Sequence, residues 1–565
     1  MKGYLTEDGV LIKTAELEEK LKTKSAINTF FKSLITVEKK DPSRAKMYGM
    51  ADKRIAYKEH DDFIIIPKQK ANEMLGMMSK AGKPFLDELI YSRSLIKINE
   101  EFNRPEQLAI PDEYKTLARA PFDYQTTIVE HLDKLNKDIL YLQCETGTGK
   151  SSIAALYVIK KGLKCLWICP TELIVTQSID EFSKMYPKLR VALFENKNIG
   201  RKKNPNPIPQ THDVVFCIIN TFRAKDSDFV KGYGCIVFDE AHELCSRENS
   251  KALWLASSIK HTLGLSATPN VRPDGMDLYV YHHLGAPIYA LTDIKDVSMP
   301  QATFNVSVQV YKYTCPEEFA GNEMVNGVIS SILTISKMVK DQFRCIMIAK
   351  MISEAYRADT GVPGTTHSII AFCELREYVM TIQSALLSQH DPSDIVLNID
   401  DPVDDIDESV DDITDPVDDI DESVDGIDDP VDVIDDITEA NTAIVNRTVT
   451  TTTDISILRG GTDISFEELS KKKSQIALAT YSFARRGISI KALTTLFLCT
   501  PRRSGLQQVI GRILRLGSNV EIPRIIYDFV DMGNSLSNQY SSRKKVYRSR
   551  NYPIIEKKLL WSDFN

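Results

Sequence analysis

Residues Gln143 to Ser152 read QCETGTGKSS. Within them, Gly147-Thr148-Gly149-Lys150-Ser151 closes a loop of the kind that turns backbone N–H groups inward on a chain of phosphates. The glycines supply the turn, Lys150 can reach the β and γ phosphates of a nucleotide such as ATP, and the Ser151 hydroxyl can ligate Mg²⁺. Glu145, Thr146, Gly147, Thr148, Gly149 and Ser152 complete the candidate wall of this site. The strict spacing of such loops carries glycine at position 144, where this chain has Cys144. The apolar run Ile139-Leu140-Tyr141-Leu142 predicts the strand before the loop, and Ser152 to Lys160 the helix whose N-terminus faces the anion.

About one helix upstream lies Pro121-Phe122-Asp123-Tyr124-Gln125. The Gln125 amide offers a donor and an acceptor to an adenine edge, and Phe122 offers a surface for the base. Downstream, Lys164–Cys169, Val214–Ile219, Cys235–Phe238 and Thr262–Leu265 read as strands alternating with helical stretches, which predicts a parallel sheet covered on both faces. Pro170, Thr171 and Thr221 follow strand ends, where loops of such sheets bind ligands. Their hydroxyls and N–H groups suit sugar-phosphate contacts, although helix capping by Thr171 or Thr221 fits the local sequence equally well.

The run Ile236-Val237-Phe238 leads into Asp239-Glu240-Ala241-His242. Asp239 can hold Mg²⁺ through its water shell, and Glu240 can orient and deprotonate a water attacking the γ phosphate. Ser266-Ala267-Thr268-Pro269 follows the next strand, and its two hydroxyls are placed to bond the carboxylates of the acidic segment.

GTGKS, DEAH and SAT in this order resemble the first motor lobe of a superfamily 2 helicase of the DEAH type. The second lobe of that family has its counterparts too: a strand at His367–Phe372, a helix from Glu374, a strand at Ile476–Thr480, and Gln508-Val509-Ile510-Gly511-Arg512-Ile513-Leu514-Arg515, which fits QxxGRxxR at every fixed position. The stretch 479–493, ATYSFARRGISIKAL, is similar to the phage UvsW helicase and the poxvirus transcript-release helicase more than to DEAD-box RNA helicases. The resemblance spans roughly residues 115–290 and 325–535 and implies an α/β protein of two RecA-like lobes with ATP between them. It implies that Arg512 and Arg515, three apart on one helical face, stabilise transition-state charge beside Gln508. It implies close backbone approach at Gly487, and coupling or nucleic-acid roles for His242, Ser266, Thr268 and Thr480. Ser489 stands where many relatives carry aspartate, so the ribose or metal-linked contact of that aspartate is not carried over to this side chain. A viral source follows from the same resemblance.

Charge points the same way. The chain of 565 residues has a net charge of −8, yet residues 400–439 hold 20 Asp and Glu and no Lys or Arg, so the remainder stands at +12. A basic body suits an anionic polymer, although a solvated surface explains the balance as well. The ten cysteines form no CxxC pair, which argues for a reducing, intracellular compartment without a disulfide framework or a zinc site. No signal peptide or long apolar run is present, so neither secretion nor a membrane partner is expected. For a viral protein the compartment would be the host cytoplasm or nucleus, or the virion.

Four segments are expected: an N-terminal accessory domain (1–112), a first lobe (113–295), a second lobe (296–540) and a basic tail (541–565). Ala15–Val37 reads as helical, and Arg54–Pro67 as a strand pair turning at His60-Asp61-Asp62. Residues 401–428 hold a near-exact 14-residue acidic repeat, DPVDDIDESVDDIT and DPVDDIDESVDGID, with a decaying third copy to Thr438. Its prolines and charge density predict a disordered insertion at about 391–458, serving as a partner tether, a decoy for the basic groove or a neutral expansion. Arg524–Asp531 reads as the last strand. The stretch 541–552, SSRKKVYRSRNY, mixes cations and tyrosines, which suits nucleic acid or equally a solvated helix end. The expected activity is ATP-driven movement on nucleic acid, DNA before RNA, with transcription or replication proteins as partners. A non-catalytic scaffold acting through the acidic repeat is the contrasting class.

Overall fold

The computed structural model describes residues 1–6, 9–37, 53–77, 86–91, 107–145, 147–194, 208–269, 275–295, 297, 304–325, 327–387, 455–458, 476–481, 490, 492–502, 505–515 and 518–560. The acidic repeat, Thr146, Gly487 and Ser489 lie outside them. The chain forms two compact units, Met1–Pro300 and Gln301–Asn565.

The main sheet of the first unit has seven strands in the order Val191–Leu193, Val214–Ile218, Cys165–Cys169, Cys235–Phe238, His261–Ser266, Ile139–Gln143 and Ile288–Tyr289. Every neighbouring pair is parallel. Strands such as CLWIC and CIVF are buried along their whole length, as a sheet covered on both faces demands. Alternation then sends side chains to two cores. Leu140, Leu142, Trp167, Phe216 and Val237 meet the helices Asp123–Lys134, Lys150–Lys161 and Glu172–Met185 on one side. Tyr141, Leu166, Ile168, Ile236 and Phe238 face the other side.

That second core is shared with the N-terminal residues. A sheet ordered Lys58–His60, Phe63–Ile66, Gly9–Lys13, Lys2–Thr6, Glu88–Tyr91 contributes Val10, Ile12, Ile64 and Ile66 to it. Buried Lys68 fastens the seam, donating to the carbonyls of Ile259 and Lys260, each at 3.0 Å. The helical expectation for Ala15–Val37 is corrected: Thr14–Leu21 and Lys24–Ser33 are separate helices, because Lys22 turns left-handed at φ +62°, and Ile35–Val37 is a strand. The turn between Lys58–His60 and Phe63–Ile66 lies at Asp61-Asp62, with Asp61 at φ +48°.

The second unit repeats the plan. Its seven strands run Ile455–Leu458, Ile476–Thr480, Ile369–Cys373, Thr495–Leu498, Arg524–Asp531, Val306–Thr314 and Ile554–Leu560, again all parallel. Each main sheet, with helices on both faces, is RecA-like. Arg524–Asp531 is therefore not the last strand. The stretch read as a basic tail forms the helix Gln539–Ser549 and then Ile554–Leu560, which joins the sheet beside Val306–Thr314. Arg543 and Tyr547, four apart, turn into the core, where Arg543 Nε and the Tyr547 hydroxyl donate to Asp528 at 2.9 and 2.7 Å. Among the described residues no helix is long and apolar enough to cross a membrane, and all ten cysteines are buried with none in a disulfide.

Candidate nucleotide site

The Gly-rich loop leaves the C-terminal end of Ile139–Gln143, a strand flanked by His261–Ser266 and Ile288–Tyr289. Gly147 and Gly149 adopt φ +86° and +73°, the left-handed turn that glycine makes without strain. Gly149 is also the N-cap of the helix Lys150–Lys161, with no side-chain cap, so Lys150, Ser151 and Ser152 form its opening turn. A Cβ on Gly149 would lie 2.6 Å from Gln125 Nε2. Cys144 stands where glycine is usual because the position is wholly buried. Burial pushes its thiol up to about 12, against the pull of Lys150, so it behaves as a small neutral residue.

Gln125 does not point to open space. It is 3% exposed; its Oε1 accepts the Phe122 N–H at 3.1 Å and its Nε2 donates to the Thr148 carbonyl at 3.3 Å. In the structure this amide braces the phosphate loop. Tyr124, which the sequence reading passed over, does the same through its hydroxyl, 2.8 Å from the Thr148 carbonyl. Its place beside Gln125 was the available signal. Phe122 is 45% exposed and stacks on Tyr124 with 5.7 Å between centroids.

Asp239 and Glu240 emerge from the end of Cys235–Phe238. Burial, and then the Glu240 charge, push the Asp239 carboxyl up from its usual range, while Lys150 opposes the shift. Glu240 sits at φ +48°, a left-handed conformation that costs an ordinary residue about 1–2 kcal/mol. It places Oε1 3.3 Å from Lys150 Nζ and Oε2 3.4 Å from His242 Nδ1. His242 Nδ1 in turn lies 3.0 Å from the Ser266 hydroxyl, which accepts the Thr268 N–H at 3.0 Å. The serine–threonine turn thus meets the acidic segment through the imidazole of His242. A second tie is Gln143, whose Nε2 donates to the Ala267 carbonyl at 2.9 Å.

Pro170 and Thr171 follow the strand Cys165–Cys169. Thr171 occupies the N-cap of Glu172–Met185 without capping it; its Oγ1 is buried and has no hydrogen-bond partner among the described residues. Thr221 lies inside the short helix Ile219–Phe222 rather than at its cap.

In the second unit Thr480 ends its strand, buried. The helix carrying Gln508 stops at Ile510, so the expected helical face for the two arginines is corrected. Arg512 and Ile513 continue in tight turns, their N–H groups donating to the carbonyls of Val509 and Ile510 at 3.1 Å each, the three-residue spacing of a 3₁₀ turn. Arg512 is 7% exposed, and Arg515 lies half-buried beyond the turn.

A loop with two left-handed glycines at a helix N-terminus, with a lysine and a strand-end carboxylate pair beside it, fits a nucleotide triphosphate. A family model described as "Type III restriction enzyme, res subunit" matches residues 119–271. The "Putative ATP-dependent RNA helicase QP509L" of African swine fever virus is 32% identical over 447 residues, which cover 77% of this chain and 74% of that protein. A protein of Acanthamoeba polyphaga mimivirus, also named as an ATP-dependent RNA helicase, is 23% identical over 510 residues, 88% of this chain and 77% of that one. Among solved structures, T4 UvsW is 15% identical with a TM-score of 0.33, over 95% of this chain and 96% of that one. Dbp5 of S. cerevisiae, bound to RNA and ADP BeF3, is 12% identical with a TM-score of 0.46, over 79% and 91%. Carried by the viral relatives and by the site just described, the conclusion is that the chain belongs to the superfamily 2 helicases, as a viral member that hydrolyses ATP and acts on nucleic acid.

Proposed function

We propose that this protein is an ATP-dependent DNA helicase or translocase that steps along one strand, in the release of transcripts or the remodelling of replication and repair intermediates. One observation carries the reading: the run of contacts from Lys150 through Glu240 and His242 to Ser266 and Thr268. It ties the group that meets the phosphates to a turn at the end of the neighbouring strand, so a change in nucleotide state has a path to that end of the sheet. Lys150 anchors the β and γ phosphates, and Glu240 orients the attacking water and accepts its proton. Ser151 and Asp239 are the oxygen donors that would hold Mg²⁺, a fit supported by a buried carboxyl whose surroundings call for a cation. When bound, that ion neutralises charge on the β and γ phosphates. Arg512 and Arg515 supply guanidinium charge to the γ phosphoryl as it transfers. The buried Thr171 hydroxyl, with Pro170 and Thr221, belongs to a sequence-independent grip on sugar and phosphate, weakened steeply by salt.

DNA is favoured by the resemblance of residues 479–493 to the UvsW and transcript-release helicases. An RNA substrate is the second reading, favoured by the names of the African swine fever virus and mimivirus relatives. Steady-state hydrolysis with no polymer, single-stranded DNA, duplex DNA or single-stranded RNA separates them. DNA is expected to stimulate most, and Lys150→Ala to remove on the order of 10³-fold or more of the rate. Preferential stimulation by RNA would transfer the protein to the second reading. Hydrolysis that survives Lys150→Ala would end the assignment of the site.

A further inference from the structure

We propose that Arg524 is a positioning residue for Arg512 and Arg515, holding the backbone that carries them. The inference rests on the reading of those two arginines as the groups that assist hydrolysis. Arg524 opens the strand Arg524–Asp531 and is 1% exposed. Its Nε donates to the Ile513 carbonyl at 2.7 Å and its Nη1 to the Ile522 carbonyl at 2.6 Å. Its Nη2 donates to the Asn519 carbonyl at 2.9 Å and to the Ser518 hydroxyl at 3.0 Å. That hydroxyl donates onward to the Arg515 carbonyl at 2.6 Å. The Phe304 ring closes the site, with its centroid 4.5 Å from the guanidinium carbon.

No carboxylate is among these acceptors. The other fully buried guanidiniums of the unit have one each: Arg344 bonds Asp531 and Arg543 bonds Asp528. Burial lowers Arg524 only to about 10, so it stays charged at neutral pH, and that charge is met by the oxygens of one short segment. The segment is the one that carries the candidate arginines. A tight turn in which the Ser518 N–H donates to the Arg515 carbonyl at 3.2 Å lies within it, while regular helix ends at Ile510 and the turns that continue it close at Ile513. Beyond that point the planar fork of Arg524 sets the relative places of the Ile513, Asn519 and Ile522 carbonyls, and through Ser518 that of Arg515. Lysine, a point charge with three donors, cannot reproduce the fork. A buried cation with no counter-charge among the described residues is a costly way to stabilise a loop, and is explained if the loop's geometry is what is needed.

The test uses the full chain, with a single-stranded DNA or RNA oligonucleotide, whichever stimulates more. Arg524→Lys is expected to lower kcat on the order of 10- to 100-fold, with the KM for ATP within about twofold and one cooperative unfolding transition kept for the second unit. In a background with both Arg512→Gln and Arg515→Gln the same change should cost less than about twofold, because the groups it positions are gone. Ser518→Ala, which leaves Arg524 intact, should lower kcat by about threefold to tenfold, and should lose that effect in an Arg515→Gln background. Equal losses in both backgrounds, or a folded Arg524→Lys protein with unchanged kcat, would overturn the inference while leaving the role of the arginines standing. Wild-type rates in both Arg512→Gln and Arg515→Gln would overturn that role, and the inference with it. Should Arg524→Lys fail to fold, the Ser518→Ala pair decides alone.

Discussion

The two units lay out their main sheets in the same order, strand for strand, and differ in what the strands end on. In the first, Ile139–Gln143 runs into the Gly-rich loop. In the second, Val306–Thr314 occupies the same place in the sheet and runs into Cys315-Pro316, with no glycine turn. The central strand of the seven runs into Asp239 and Glu240 in the first unit, and into Cys499 and Thr500 in the second. The frame is therefore neutral with respect to chemistry, which is supplied by short loops at strand ends. Charges are handled differently as well. The first unit clamps Asp213 between Arg190 and Lys164 but leaves Asp239 and Glu240 crowded and partly answered by Lys150, whereas the second holds Asp531 in the fork of Arg344 and Asp528 on Arg543 Nε and the Tyr547 hydroxyl. One arrangement waits for a ligand, and the other completes itself.

The sharpest way to break that contrast is to remove one carboxylate from each unit. Asp531→Ala strands the buried Arg344, which is bonded to Asp531 at 2.6 and 3.0 Å, to Tyr378 at 2.8 Å and to the Cys499 carbonyl at 2.7 Å. A loss on the order of 3–5 kcal/mol from the urea transition of the second unit is expected. Glu240→Gln should cost the first unit about 1 kcal/mol or less while stopping hydrolysis. Equal costs would mean that Glu240 is as structural as Asp531.

Acid should separate the units at smaller amplitude. His283 is fully buried against Trp254, and burial lowers it to about 3; His282 and His261 are lowered by burial to about 4. An unfolded histidine near 6.5 binds protons that these folded ones refuse, so stability is complete above 6.5 and is lost as pH falls from there towards the folded values. His283 alone amounts to about 2 kcal/mol between pH 7.5 and 5. In the second unit only His367 is lowered among the described histidines, and Glu556, held down to about 2 by Lys312, Lys544 and Tyr540, begins to matter only below about 4.5. The first-unit transition should therefore move more between pH 7 and 5. Parallel shifts would contradict the buried, neutral histidines.

The smallest effect concerns the loop itself. Gly149→Ala places a methyl 2.6 Å from Gln125 Nε2 at φ +73°, a strain of about 1–2 kcal/mol. A roughly tenfold rise in the KM for ATP is expected, with the second-unit transition unmoved. An unchanged KM would mean that the brace from Gln125 is dispensable.

Much of this frame is legible in the residues. Runs such as ILYLQ and CIVF can only be strands buried on both faces, and GTGKS can only turn where glycine permits. Partners are harder to read than periods. Gln125 carries a pattern compatible with adenine, and only the packing of its helix against the loop reveals the bond to Thr148. Arg543 and Tyr547 sit in a run that looks solvated, because the aspartate answering them lies in another strand. Ile554–Leu560 reads IIEKKLL, whose charges hide an edge strand that is half in water. The shared core under the N-terminal sheet has no local signature at all.

The strand Val306–Thr314 is built before either of its neighbours, Arg524–Asp531 and Ile554–Leu560, exists. On a ribosome it would wait for roughly 200 residues, on the order of 10–40 s, with both edges unpaired. In the first unit Ile139–Gln143 waits in the same way, but only for roughly 120 residues until His261–Ser266, on the order of 6–24 s, and its sheet is complete by Tyr289. Synthesis would thus deliver a finished ATP-binding half attached to an open, sticky one, and the late strands act as the closing stitch that retires that hazard.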